Sequence, residues 1–429
     1  MNNKGSVKDT LTFGFALFAM FFGAGNLIFP PYLGIISGPK WFTGFAGFTF
    51  ADAGLALLAV IAIAYCNGNI MELFEKIGKW PAIILSFADI MCVGPLLVIP
   101  RTGATTYEMG IMPLAGKGLP IIVVVVIFFL LTFFLTVRPS KVIDIVGQFL
   151  TPVLIIALSV IIIKGVVSPL GTPMSKPMIE NIFQRGIMDG YQTMDCFVSI
   201  AVGSVLMLTL ANKGYSDSKQ QIALLIKAGI IACVGLGLIY GGLTYLGSTV
   251  SKVYGMDVQQ SQVIVNITQS LLGNTGKVIL AIAVSLACLT TSIGLTSATA
   301  EYLTALFNNK ISYAKVVAIV CVFATAAASM GVSGLVKIAN PILAIVYPPT
   351  IVLIVLVFFK NKIKNDNVYK FAALFAVIIS ALTLLSTSVP AFGFVNSLPL
   401  APIGFNWVVP TIIGGIIGNF VGASNKKVA

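Results

Sequence analysis

The segment of this sequence with the most potential chemistry is the run Phe21–Pro31, FFGAGNLIFPP, inside a long apolar stretch. Gly23 and Gly25 lower the cost of leaving helical geometry, and Pro30 lacks an N–H and collides with the Asn26 carbonyl one turn earlier. In lipid, every backbone group that a broken helix frees must find a polar partner. Freed N–H groups can bind a carboxylate and freed carbonyls a cation. The run therefore predicts a ligand site at a helix break, and a kink that serves packing alone is the open alternative.

A second polar interruption occurs in the run Gly190–Ser204, GYQTMDCFVSIAVGS. Transporters built from inverted repeats place two broken helices at corresponding positions of their halves, so this run predicts the second break. Asp195 lies beside it and is suited to bind an ammonium group, to carry a proton, or only to cap a half-helix.

Three adjacent hydroxyl residues, Thr290, Thr291 and Ser292, lie within the uncharged run Val278–Ala300. Hydroxyl and carbonyl oxygens are hard, neutral ligands that suit a small alkali cation. The alternative is that each hydroxyl donates to a carbonyl one turn earlier in its own helix.

Five further charged residues, Asp52, Asp89, Arg101, Glu108 and Glu301, lie in or near apolar segments. A charge at mid-bilayer costs about 2.5–3.5 kcal/mol on insertion scales, so each is a functional candidate. Arg101 and Glu108 share one face of a regular helix, where they either pair as a gate or, the favoured interpretation, lie at the outer interface. For Asp52 and Asp89 a polar contact between neighbouring spans is favoured over a role in transport.

The elements that position these residues must be membrane helices. Of 429 residues, 58% are hydrophobic and only 9% charged, against about 25% charged in a soluble domain. The net charge of +12 is expected to come from Lys and Arg residues in the cytoplasmic loops. The sequence contains no patch of basic residues interleaved with aromatic residues, so it does not predict nucleic-acid binding. The six cysteines are expected to act as small hydrophobic residues, without disulfides or metal clusters.

Apolar periodicity predicts an all-α membrane protein with about twelve transmembrane helices in a single transport domain. A first repeat would cover about 10–166 and a second about 186–359, and two extra C-terminal helices would cover about 369–423. With both termini in the cytoplasm, 17 of the 26 Lys and Arg residues face that side. The predicted spans are roughly 10–36, 42–66, 81–112, 119–137, 142–166, 186–210, 221–250, 276–305, 314–333, 335–359, 369–388 and 404–423.

Three stretches resemble the bacterial branched-chain amino acid:cation symporters: Phe15–Pro31, Gly94–Thr102 followed by Glu108, and Gly190–Asp195. The resemblance implies twelve spans, a plasma-membrane location, and uptake of leucine, isoleucine and valine coupled to Na⁺ or H⁺. It implies lipid and substrate as partners, without an organic cofactor, nucleic acid or obligatory protein partner.

This family in turn resembles the wider group of transporters with the LeuT fold, a 5+5 inverted repeat with broken first and sixth helices. That resemblance implies that the amides of Ala24 and Gly25 bind the substrate carboxylate and that residues at the sixth-helix break contact the substrate. The implied ligands of Na⁺ are the carbonyls of Ala19, Phe22 and Ala287 and the hydroxyls of Thr290 and Thr291. The full predicted substrate site is Gly23, Ala24, Gly25, Asn26, Tyr191, Asp195, Phe197, Ser199, Ile200 and Gly203.

The sequence leaves four other functions to be weighed. A channel is disfavoured because no repeated ring of polar residues is visible. A metal hydrolase is disfavoured because the chain contains no His, and a pump is disfavoured because no phosphate-binding loop GxxxxGK[ST] occurs. A transporter for another small amino acid or a nucleobase stays the serious alternative, since the LeuT-fold group carries many substrates.

Overall fold

The computed structural model of the chain describes residues 7–116, 118–137, 141–215 and 217–421, and all regular structure in these ranges is helical. The α-helices are α1 (Val7–Phe21), α2 (Ala24–Ser37), α3 (Trp41–Thr49), α4 (Leu55–Tyr65), α5 (Ile70–Phe74), α6 (Lys79–Met91), α7 (Val98–Thr105), α8 (Met112–Ala115), α9 (Ile121–Val137), α10 (Lys141–Val167), α11 (Ile182–Tyr191), α12 (Asp195–Asn212), α13 (Ser218–Thr249), α14 (Gln260–Leu306), α15 (Tyr313–Ala328), α16 (Gly331–Val357), α17 (Asn367–Leu385) and α18 (Val408–Phe420). Short 3-10 helices cover Gly38–Lys40, Glu75–Ile77, Pro390–Ser397 and Ala401–Ile403, and π-helical segments cover Phe50–Gly54, Cys92–Leu96 and Thr106–Ile111.

Six helical runs are long and apolar enough to cross a membrane, and the bent pair Ile182–Gly203 and Val205–Asn212 makes a seventh candidate. Shorter apolar helices occur at Ile121–Val137, Leu154–Val167, Tyr313–Ala328 and Val408–Phe420. Large apolar side chains on these helices, such as Phe134 and Val322, are exposed, as expected for a surface that faces lipid rather than water. The number of twelve spans and their division into two repeats stay predictions.

Helix α2 lies at the centre of the molecule, and all of its residues are buried. It packs against α13, α14 and α3. The contact with α13 is so close that a Cβ added at Gly34 would overlap the Thr244 carbonyl oxygen, and one added at Gly247 would overlap the Pro31 carbonyl oxygen. Glycine at both positions therefore allows the backbones of α2 and α13 to touch.

Helix α14 continues further towards the N-terminus than the predicted span 276–305. Its direction changes at Gly273, where φ is 66° and ψ is −157°. The whole helix packs against α2, α7 and α10. It carries the three adjacent hydroxyls to the same region of the molecule as the start of α2.

Candidate functional site

The first interruption lies between α1 and α2, at Phe22 and Gly23. Gly23 is extended (φ −116°, ψ −169°), and its N–H donates to the Asn26 side-chain oxygen at 3.1 Å. The amides of Ala24 and Gly25 belong to the first turn of α2, where a helix supplies no carbonyl partner. The four predicted substrate residues from Gly23 to Asn26 thus lie together at the N-terminus of a buried helix.

The prolines do not cause this interruption, contrary to the sequence argument. Pro30 and Pro31 lie inside α2 and are buried there, one to two turns after the break. The chain instead leaves helical geometry at the extended Gly23, and Gly25 already lies inside α2. Each missing N–H leaves a carbonyl one turn earlier without its helical partner, so the first half of α2 is rich in freed backbone oxygens.

The second interruption lies between α11 and α12, at Gln192–Met194. Met194 adopts the left-handed conformation with φ 65°. This break lies inside the predicted run Gly190–Ser204. The residues that the family resemblance placed at it lie on α12 after the break: Phe197, Ser199, Ile200 and Gly203. The physical reason is visible at Ser199, whose hydroxyl donates to the Asp195 carbonyl at 2.7 Å and so stays inside regular helix.

Tyr191 and Phe197 flank the second break and pack on the same partner, Tyr347 of α16. The rings of Tyr191 and Tyr347 are stacked with centroids 4.2 Å apart, and the centroid of Phe197 lies 4.2 Å from that of Tyr347. All three side chains are buried. They form an aromatic wall beside the break, of which the sequence predicted two members.

A buried polar cluster joins the two interruptions. The Asn26 amide nitrogen donates to Asp195 at 2.9 Å, to Asp52 at 3.3 Å and to the hydroxyl of Tyr240. The Thr193 hydroxyl lies 2.8 Å from the other oxygen of Asp52. The structure thus brings together the predicted residues Asn26 and Asp195 with three residues that the predicted site lacks.

Asp52 and Asp89 do not contact each other, contrary to the favoured interpretation of the sequence. Asp52 binds Asn26 and Thr193, whereas Asp89 accepts from the Thr350 hydroxyl at 3.2 and 3.3 Å. Asp52 lies in the π-helical segment Phe50–Gly54. The wider turn of a π-helix rotates the following side chains relative to an α-helical register, which the sequence pattern does not show.

The gate pair Arg101–Glu108, the less favoured alternative, is not formed, and a π-helical segment from Thr106 again shifts the register between the two residues. Both side chains are buried, and the favoured location at the outer interface stays a prediction. Arg101 donates to the carbonyls of Gln192 at 2.5 Å and of Thr193 at 3.2 Å. Glu108 accepts from the backbone N–H of Val332 at 2.9 Å and from the hydroxyl of Ser261.

Glu301 differs from these buried residues because it is exposed. Its carboxylate accepts from the Ser297 hydroxyl at 3.2 Å. It therefore takes no part in the polar cluster between the two breaks.

The five predicted Na⁺ ligands line one small cavity between α1, α10 and α14. Its volume is about 20 Å³, and its walls are formed by Phe18, Ala19, Phe22, Leu154, Ala287, Thr290 and Thr291. A water-sized occupant needs roughly 10–15 Å³ of such volume, so the cavity has room for about one. The oxygen atoms that these residues can offer to an ion are neutral carbonyls and hydroxyls, and such ligands fit an alkali cation. In the described ranges no group of three or more His, Cys, Asp or Glu residues could hold a metal.

The two threonines of this cavity differ in their hydrogen bonds. The Thr290 hydroxyl donates back to the carbonyls of Ala287 at 2.9 Å and Leu286 at 3.2 Å, as the alternative interpretation expects. Within the part of the chain that the structure describes, the Thr291 hydroxyl makes no hydrogen bond. Of the two predicted ligands, Thr291 is therefore the one whose hydroxyl is available to an ion.

Two solved transporters of the LeuT fold have the same overall architecture. The inward-facing structure of Mhp1 has a TM-score of 0.64 at 13% identity and covers 96% of this chain and 90% of its own. MhsT in complex with L-phenylalanine has a TM-score of 0.60 at 17% identity and covers 95% of this chain and 97% of its own. At such identities the likeness shows the fold, and it confirms the predicted all-α fold of the LeuT type.

Curated relatives match over nearly the whole length. The branched-chain amino acid permease BraB of Bacillus subtilis is 36% identical, with 99% of each chain covered. The permease BrnQ of the same organism is 34% identical with 100% of each chain covered, and BrnQ of Escherichia coli K12 is 32% identical, with 95% of this chain and 94% of its own covered. The family profile described as "branched-chain amino acid transport protein" matches residues 6–425. With an interrupted-helix architecture, end-to-end relatives and a profile that spans almost every residue, the chain belongs to the branched-chain amino acid transport protein family, a family of transporters rather than enzymes.

Proposed function

We propose that this protein is a secondary active symporter that imports leucine, isoleucine and valine across the plasma membrane of a bacterium, driven by a Na⁺ gradient. The substrate is supported by the family and by the names of relatives that match end to end. The observation that carries the coupling is the small cavity in which Ala19, Phe22, Ala287, Thr290 and Thr291 meet. Both termini are proposed to lie in the cytoplasm.

The substrate lies, in this proposal, between the two interruptions. Its carboxylate faces the amides of Ala24 and Gly25 at the N-terminus of α2, where the helix dipole favours negative charge. Its ammonium group approaches Asp195, and its branched side chain packs on apolar residues of α12 such as Phe197 and Ile200.

The ion and the substrate are connected through consecutive residues. Phe22 lines the ion cavity, while its neighbour Gly23 donates to Asn26, which donates to Asp195. An ion that fixes the end of α1 therefore also fixes the start of α2, where the substrate binds. Such coupling must be reciprocal, so bound substrate strengthens ion binding to the same degree. Rocking of one repeat against the other would then expose the site to each side in turn.

A proton is the second candidate for the coupling ion. The observation that favours it is the pair Asp52 and Asp195, whose carboxylates both accept from the Asn26 amide nitrogen. Like charges so close together repel each other, and one shared proton removes the repulsion.

The test is leucine uptake into proteoliposomes with a Na⁺ gradient and a pH gradient imposed separately. We expect saturable accumulation under the inward Na⁺ gradient, inhibited by excess isoleucine or valine but not by a nucleobase. Accumulation under the pH gradient alone would identify H⁺, rather than Na⁺, as the coupling ion. Uptake that neither gradient concentrates would refute symport, and competition by another amino acid class alone would refute the proposed substrate.

A further inference from the structure

Arg101 of α7 is a buried cation beside the second interruption, with only 2% of its surface exposed. Its two terminal nitrogens donate to the carbonyls of Gln192 and Thr193. Its Nε is buried and has no hydrogen-bond partner. A guanidinium carries five N–H donors, so the two carbonyls leave most of its capacity unused.

The charge of this guanidinium is not matched by a direct ion pair. In the described ranges no carboxylate lies within 4.0 Å of it, and the ion pairs there involve other cations. The nearest acidic cluster is engaged elsewhere, since Asp195 and Asp52 both accept from Asn26. A buried charge that is only partly satisfied is costly, which makes a functional partner for it the default expectation.

A second feature points to the same place. A Cβ built on Gly25 would lie 3.4 Å from the Nη2 atom of Arg101, so the guanidinium lies against the first turn of α2. The guanidinium is also 5.7 Å from the ring centroid of Phe29, in the next turn. The planar fork of Arg101 and the free amides of the α2 N-terminus therefore converge, and both favour an anion with the geometry of a carboxylate.

We propose that Arg101 binds the α-carboxylate of the transported amino acid, together with the amides at the start of α2. This inference rests on the proposed function and extends it, because it makes a free carboxylate a requirement for binding. The Gln192 and Thr193 carbonyls hold the guanidinium in place and connect it to the second interruption. Substrate bound to Arg101 thereby contacts the first interruption directly and the second through these carbonyls.

The test compares leucine with leucinamide, which has the same side chain and amino group but no carboxylate. Binding of both is measured on the purified full-length wild-type protein and on Arg101→Gln and Arg101→Lys. We expect wild-type protein to prefer leucine strongly. Arg101→Gln should weaken leucine binding on the order of 100-fold, as for truncation of one partner of a buried charge pair, and leave leucinamide within a few fold. Arg101→Lys keeps the positive charge but lacks the planar guanidinium that can donate two parallel hydrogen bonds to a carboxylate, so it should weaken leucine binding roughly tenfold.

The control is Arg185→Gln, because Arg185 is a partly buried arginine of α11 that pairs with Asp189 at 2.9 Å. It should leave the preference for leucine unchanged. If Arg101→Gln weakened the binding of leucine and of leucinamide equally, Arg101 would have a purely structural role and the inference would be overturned. A wild-type protein that binds leucinamide as well as leucine would overturn it without any variant, while leaving leucine transport intact. If wild-type protein binds no leucine at all, the proposed function fails and the inference fails with it.

Discussion

Replacing Thr291 by valine tests the proposed Na⁺ site with a minimal change. Valine has nearly the shape of threonine, so the cavity of about 20 Å³ keeps its size while one oxygen donor is lost. The Thr291 hydroxyl makes no hydrogen bond within the described ranges, so its loss leaves no protein group without a partner there. The substitution should therefore act on the ion rather than on folding.

The size of the effect follows from the donor that is removed. A hydrogen bond to a charged group is worth about 1.5–3 kcal/mol, and a hydroxyl dipole that points at a cation is comparable. Since 1.4 kcal/mol corresponds to a factor of ten, the Na⁺ concentration for half-maximal uptake should rise roughly 10- to 100-fold. Leucine uptake at saturating Na⁺ should be largely restored, because the substrate contacts on α2 and α12 are unchanged.

The measurement is the initial rate of leucine uptake into proteoliposomes over a series of external Na⁺ concentrations, with choline keeping the ionic strength constant. Thr296→Val is the matched control on the same helix. Its hydroxyl is buried and has no partner, and it does not line the cavity. An unchanged half-saturating Na⁺ concentration in Thr291→Val, or an equal shift in the control, would refute the assignment of the cavity.

Two further predictions concern the elements that position the site. Gly34→Ala places a Cβ against the Thr244 carbonyl oxygen, so it should lower the free energy of unfolding by about 1–3 kcal/mol. The control Gly294→Ala has open space around its Cβ and should leave the free energy of unfolding unchanged. Equal thermal stability of the two variants in detergent would contradict the close α2–α13 contact. Glu108→Gln removes the negative charge of the carboxylate that accepts from the Val332 N–H at the start of α16. It should lower the free energy of unfolding by about 1–2 kcal/mol. An unchanged thermal midpoint would show that this cap does not stabilise the helix.

The sequence predicted the parts of the site that depend on local backbone chemistry. Two glycines and an asparagine within an apolar run indicate a helix break, and the structure has one at Phe22 and Gly23. The residues of the predicted ion site follow from family resemblance, and the structure brings all five to one cavity. The break depends on a short segment, whereas the ion site joins two segments distant in the chain, and its binding of Na⁺ stays a prediction.

The polar cluster could not be predicted, because its partners are distant in the chain and its register is irregular. Asn26 reaches Tyr240 through the packing of α2 against α13, and it reaches Asp195, which follows α11, where α2 packs against α11. Asp52 points at this cluster from a π-helical segment, where an expected period of 3.6 residues fails. Tyr240 gave one usable signal, since a tyrosine buried in an apolar helix requires a partner for its hydroxyl.

The buried charges beside the two interruptions support the proposed coupling to a cation. Arg101 contributes one positive charge, and Asp52 and Asp195 contribute two negative charges when both are ionised, all of them buried. A zwitterionic amino acid adds no net charge, so an excess of one negative charge among Asp52, Arg101 and Asp195 remains when the substrate binds. One monovalent cation balances that excess, either Na⁺ beside Phe22 or a proton shared by the two carboxylates. Because an unbalanced charge in a low-dielectric interior is costly, this excess favours cation binding in the proposed symporter, and the proposed coupling to substrate then runs through the contacts from Phe22 and Gly23 to Asn26.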